Sequence, residues 1–163
     1  MKVVYVELDR CIACLSCEQA CLFYHASRTG GWCPNIFVAV DIENRRINTG
    51  TCLQCEDAPC MAACPTGAIK RNPTSTAVQV DSELCLGCGV CVKACTYGFL
   101  HLDTSRTKAT KCDLCGGNPI CVQMCMARAL HFGELESMAD LARGKTGLRL
   151  GLRAIPKTRD DTP

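Results

Sequence analysis

Aromatic residues are scarce in this 163-residue chain, at 5% with a single tryptophan, and no run of about eighteen apolar residues exists. No membrane-spanning helix is therefore expected. The opening residues MKVVYVELDRC lack a basic stretch followed by an apolar one, and no twin-arginine pair precedes Cys11. No export signal is expected, and the predicted location is cytoplasmic. The formal net charge of +2 is too small for the basic surface of a nucleic-acid binder. No Gly-rich dinucleotide motif follows a strand, and there is no P-loop or Ser-His-Asp pattern. Apolar mass is short as well. Without its 17 cysteines, the 48% hydrophobic share falls to roughly 37%, low for a chain held together by burial alone.

What the chain has is cysteine, about one residue in ten. Disulfides are rare in the reducing cytosol, so the thiols read as metal ligands rather than staples. They fall into four runs with one left over. Run one is Cys11, Cys14, Cys17, Cys21, and run two is Cys52, Cys55, Cys60, Cys64. Run three is Cys85, Cys88, Cys91, Cys95, and run four is Cys112, Cys115, Cys121, Cys125. Runs one and three have C-x2-C-x2-C-x3-C spacing; runs two and four lengthen the middle gap to x4 and x5. Three closely spaced thiolates can wrap a loop around one iron–sulfur cluster. The fourth lies about one helical turn further on and faces away. In two-cluster ferredoxins it ligates the other cluster, so the runs work in pairs. A structural zinc site uses two CxxC pairs across a longer loop instead. A zinc-stapled interaction module is thus the alternative from another class.

Short strand signals frame the runs. Val3 to Glu7 alternates before run one, and AVQV (77–80) precedes run three. FLHL (99–102) follows run three after Gly98, and Ala68-Ile69 follows run two. The pattern predicts strand, cluster loop, short helix, turn and strand, repeated. Small residues near the ligands (Ala13, Ser16, Gly87, Gly89, Gly116, Gly117) would let backbone N–H groups approach sulfur.

CLQCEDAPCMAACPTGAI (52–69) and CLGCGVCVKACTYG (85–98) resemble the middle motifs of four-cluster iron–sulfur subunits. Those subunits accompany molybdenum or tungsten pterin enzymes such as formate dehydrogenases and dimethyl sulfoxide reductases, with relatives serving hydrogenases and carbon monoxide dehydrogenase. KCDLCGGNPICVQMC (111–125) and CIACLSCEQACLFYH (11–25) look most like the small ferredoxin subunits of tungsten aldehyde oxidoreductase complexes. The small subunit beside the tungsten protein of class II benzoyl-CoA reductase is similar. Leu22, Thr96 and Met126 stand where that family often has proline.

The resemblance implies an α+β fold: two bacterial-ferredoxin-like modules of short hairpins and short helices around four 4Fe-4S clusters. It implies a nested pairing. Cys11, Cys14, Cys17 with Cys125 would hold cluster 1, and Cys112, Cys115, Cys121 with Cys21 cluster 2. Cys52, Cys55, Cys60 with Cys95 would hold cluster 3, and Cys85, Cys88, Cys91 with Cys64 cluster 4. Gap lengths alone leave other pairings open, run one with two and run three with four. The nested order divides the chain into an outer module (1–49 and 105–133), an inner module (50–104) and a basic extension (134–163). The implied role is non-catalytic electron transfer. Partners would be a large tungsten- or molybdenum-pterin subunit and a flavin/NAD-reducing subunit or a ferredoxin. Stacking of copies into a longer wire is a further expectation. A formate dehydrogenase, hydrogenase or carbon monoxide dehydrogenase subunit, or a free polyferredoxin, is the alternative.

Other residues carry weaker signals. His25, His101 and His131 are expected to be structural or solvent-facing, and Cys33 to be a free thiol in the loop GGWCPN beside Trp32. Lys70, Lys93 and Lys111 stand near the runs; solvated side chains are the default expectation. Residues 143–163 hold six basic and two acidic residues and read as a docking arm or a frayed tail, and Glu134 to Ala142 as a short helix. Four oxidised clusters at about −2 each would turn the formal +2 into about −6.

Overall fold

The computed structural model describes residues 1–105 and 107–136. Strand β1 (Lys2–Val6) runs antiparallel to the last described strand, β8 (Leu130–Glu134), with Lys2 opposite Glu134 and Val6 opposite Leu130. Its valines suit a pleated surface, and both faces are covered. Val4 and Val6 enter the main core with Leu130, while Val3 and Tyr5 pack beneath Met1 and Leu135. The N-terminal ammonium meets Glu134 Oε2 at 2.7 Å. Main-chain pairing thus closes the two distant ends of the described chain on each other. Glu134 ends this strand; the rest of the helix expected there, and the basic tail, lie outside the described residues.

Between them come α1 (Ser16–Thr29), the hairpin β2 (Ile36–Asp41) and β3 (Arg46–Thr51), and α2 (Pro59–Ala62). The pair β4 (Ile69–Arg71) and β5 (Val78–Val80) follows, then α3 (Val90–Ala94). Strands β6 (His101–Asp103) and β7 (Lys108–Thr110) and helix α4 (Ile120–Gln123) complete the order before β8. Among the described residues all four sheets are two-stranded and antiparallel. The fold is α+β, as expected. No described helix is long and apolar enough to cross a membrane.

Two features exceed the expectation of short repeated units. Helix α1 has 14 residues and ends where Gly30 N–H bonds Ala26 O at 3.0 Å. The β2–β3 hairpin was not anticipated, although IFVAV (36–40) is a short apolar run rich in strand-forming residues. Its turn is closed by Asp41, whose carboxylate accepts from Asn44 N (3.0 Å) and Nδ2 (2.8 Å). Glu18 of α1 accepts the Val38 N–H, fastening helix to hairpin.

Helix α1 packs on α4, and α2 on α3. Two apolar clusters result. One gathers Val4, Val6, Ile36, Leu114 and Leu130 with four cysteines; the other gathers Ala68, Ile69, Val78 and Leu100 with three. Cysteine is as much a core residue here as valine or leucine.

Gly87 shows how tightly run three is covered. Its φ is +70°, and a Cβ there would sit 2.0 Å from Thr107 O. The small residue is needed against the protein's own backbone. Gly116, also at φ +70°, has open space around a Cβ. Gly87→Ala should therefore cost about 3 kcal/mol, from left-handed strain plus a backbone clash, and Gly116→Ala only about 1 kcal/mol. Thermal unfolding of the loaded protein checks the difference; equal losses would contradict it.

Candidate metal centres

The four runs repeat one backbone device. The residue before the second cysteine is left-handed in every run: Ala13 (φ 52°), Gln54 (55°), Gly87 (70°) and Leu114 (59°). Three of these are not glycine, and each such residue costs roughly 1–2 kcal/mol. The residue after the second cysteine, Leu15, Gly89 or Gly116, is left-handed in runs one, three and four. Consecutive bends of this kind turn the loop inward so that its cysteines converge.

Three cavities are each walled by four cysteines, three from one run and the last from another. Cys11, Cys14, Cys17 and Cys125 line one, beside Val6 and Leu130. Cys52, Cys55, Cys60 and Cys95 line the second, beside Leu100 and Lys111. Cys85, Cys88, Cys91 and Cys64 line the third, beside Ile69 and Ala109. Of the remaining four, Cys21, Cys112 and Cys121 are buried in one apolar cluster together with Cys17, and Cys115 follows Leu114 of the same cluster. Helices bring the fourth cysteines across, since α1 carries Cys21 toward α4, and the α2–α3 contact lies just before Cys64 and Cys95.

Most of these thiols are half-buried or buried; Cys14 and Cys88 alone are exposed. Loss of water pushes Cys17 and Cys21 up to about 11 and Cys112 up to about 12. Backbone N–H groups point at several sulfurs: Asn35 to Cys21 (3.2 Å), Ala129 to Cys125 (3.2 Å), Ala109 to Cys85 (3.4 Å) and Gln54 to Cys52 (3.5 Å). Asn35, which is 2% exposed, also accepts from Thr51 and Thr110 through its two oxygens. None of these four donors was singled out by the sequence. Gly116 and Gly117, which were, leave open space where a side chain would stand.

The lesser candidates divide. Cys33 is half-buried and lines none of the three cavities, and Trp32 is exposed. His25 is buried on α1, with Nε2 3.7 Å from Asp113 Oδ1 and Cys115 close by. His131 stacks on Tyr5 and contacts Glu7 at 3.3 Å. His101 packs edge-on to Phe37, with both ring nitrogens buried and without a partner, and burial lowers its pKa. Lys70 and Lys93 are exposed as expected.

Lys111 corrects the expectation of a solvated lysine: it is 4% exposed. Its Nζ donates to Cys112 O (3.0 Å), to Gln54 Oε1 (3.4 Å) and to Val78 O. Gln54 is fully buried and spans the same groups. It donates from Nε2 to Cys112 O and accepts from Val78 N, both at 2.8 Å. A polar bridge therefore links run two to the start of run four. Neither residue type signals this in sequence, because a lysine and a glutamine beside cysteines are usually on the surface.

Comparison with known proteins decides what these thiols belong to. Residues 44–135 match the 4Fe-4S dicluster domain family. The chain belongs to this family. Among its relatives, the electron transport protein HydN of Escherichia coli K12 is 36% identical over 135 residues, covering 69% of this chain and 74% of HydN. A sulfite dehydrogenase subunit of Allochromatium vinosum is 31% identical over 129 residues, covering 66% of this chain and 52% of that protein. A solved chain of the active site complex BamBC of benzoyl coenzyme A reductase aligns over 88% of each chain, with a TM-score of 0.45 and 18% identity.

The residues of this 4Fe-4S dicluster-domain family member fit iron–sulfur clusters. Each set offers four soft sulfur donors, apolar walls and N–H groups aimed at sulfur. A buried cation, Lys111, stands in the same wall as four thiols. Its support can be tested. Gln54→Leu strands the Val78 N–H and removes one Lys111 contact, and should destabilise the loaded protein by about 3 kcal/mol. A thermal or denaturant midpoint unchanged from the parent would contradict the bridge.

Proposed function

We propose that the chain is a non-catalytic relay for single electrons, carrying four 4Fe-4S clusters between a catalytic subunit and a redox partner. The observation that carries this reading is the repeated three-plus-one set of thiols. A 4Fe-4S cluster bound by four cysteines has no open iron position, and the chemistry it supplies is one-electron transfer. The ligand sets would be Cys11, Cys14, Cys17, Cys125; Cys112, Cys115, Cys121, Cys21; Cys52, Cys55, Cys60, Cys95; and Cys85, Cys88, Cys91, Cys64.

Proximity supports a linear order. Cys17 bears electrostatically on Cys121 and Cys52 on Cys112, while α2 of run two packs on α3 of run three, which supports the order one, four, two and three. Exposed Cys14 and Cys88 then mark the two outer sets, where electrons would enter and leave. Ile12 and Leu86, also exposed, flank them and would exclude water in a docked complex. The two apolar clusters and the β1–β8 closure support an outer module (1–49 and 105–133) around an inner one (50–104).

One relative is by name a subunit of sulfite dehydrogenase, which supports membership of an oxidoreductase complex. Within that reading the catalytic partner is a large tungsten-pterin subunit of the aldehyde oxidoreductase type, in the cytoplasm. Anaerobically purified protein should contain about sixteen irons and a similar amount of sulfide per chain, with EPR signals of reduced 4Fe-4S clusters. Cys33→Ser should keep that content, and Cys55→Ser should lower it. About two to four zincs in place of iron would overturn the reading.

A further inference from the structure

Lys111 and the cavity it lines carry an inference about how the sites differ from one another. The Nζ of Lys111 contacts three oxygen acceptors, on Gln54, Val78 and Cys112. The three N–H donors of a lysine ammonium match these three acceptors. Among the described residues, no carboxylate lies within ion-pair distance of it. A buried charge persists when it is paired, and lone ones are rare. The cavity wall supplies the pairing: Lys111 shares it with Cys52, Cys55, Cys60 and Cys95.

We propose that Lys111 is the fixed counter-charge of the group held by Cys52, Cys55, Cys60 and Cys95, and makes this inner position easier to reduce. The inference rests on the cluster reading above. Reduction there adds one electron; no bond forms or breaks and no proton is needed. The added negative charge meets a cation already in place, oriented by three carbonyl-type oxygens and shielded from salt. Exposed Lys70 and Lys93 have water around them, and Lys108, which donates to Cys85 O at 2.6 Å beside another set, is only half-buried. No cysteine of this set is exposed, unlike Cys14 and Cys88 in two others.

The test is an EPR-monitored redox titration of the loaded full chain, comparing Lys111→Met, Lys111→Arg, Gln54→Glu and Lys70→Met with the parent. Lys111→Met should lower the reduced-to-oxidised ratio of one component at least tenfold at a fixed potential, about 59 mV downward for a one-electron couple. Lys111→Arg, which keeps the charge, should restore the parent titration, and Lys70→Met should leave it in place. Gln54→Glu, which puts a carboxylate against the ammonium, should lower the same component. Unchanged potentials in Lys111→Met and Gln54→Glu, or an equal shift in Lys70→Met, overturn the proposal. If Lys111→Met fails to hold iron, Gln54→Glu alone decides. Iron loss in both would make Lys111 structural, also overturning the proposal. A parent protein without 4Fe-4S signals would instead remove the underlying cluster reading.

Discussion

Convergence of sulfur from remote segments is the constraint on which the structure depends. The chain is poor in large apolar residues, yet it brings together thiols more than a hundred positions apart, as in Cys11 and Cys125 around one cavity. Each of the three cavities is walled by cysteines of two runs, so neither run can complete that wall until the other has folded against it. This explains the closing of β1 on β8 and the packing of α1 on α4 and α2 on α3. Those contacts position the fourth cysteines, and the cysteines in turn fill the core between them. Left-handed backbone at Ala13, Gln54 and Leu114 is strain that such over-determined loops can hold.

Burial makes this arrangement tolerable without charge. Thiols raised to about 11 or 12, as at Cys17, Cys21 and Cys112, stay neutral near pH 7 and pack as small apolar groups. Metal binding must expel those protons. Backbone donors such as Asn35 and Ala129 already face the sulfurs that would then carry charge. Lys111 is different in kind: an amine group buried from the start and held by Gln54, Val78 and the Cys112 carbonyl.

Much of this was legible in the sequence because cysteine spacing is a strong signal. The α+β class and the short strands beside the runs could be read there. The strands at Lys2–Val6 and Val78–Val80 lie within a residue of where alternation put them. What escaped was set by tertiary contacts. The β2–β3 hairpin depends on an Asp41 turn with no glycine to announce it. Gln54 sits inside a cysteine run like a spacer, but bridges to Val78 and Cys112. Lys111 looked like any other lysine near the clusters until its surroundings removed the water. Burial of a polar side chain depends on what the rest of the chain folds over it, and no local pattern carries that information.

The central claim is that every site takes three cysteines from one run and its fourth from a remote run. An anomalous difference map at the iron absorption edge, from crystals of the anaerobically loaded protein, tests it most directly. The account predicts four separate iron peaks, including one between Cys17 and Cys125 and one between Cys60 and Cys95. Peaks each enclosed by the four cysteines of a single run would contradict it.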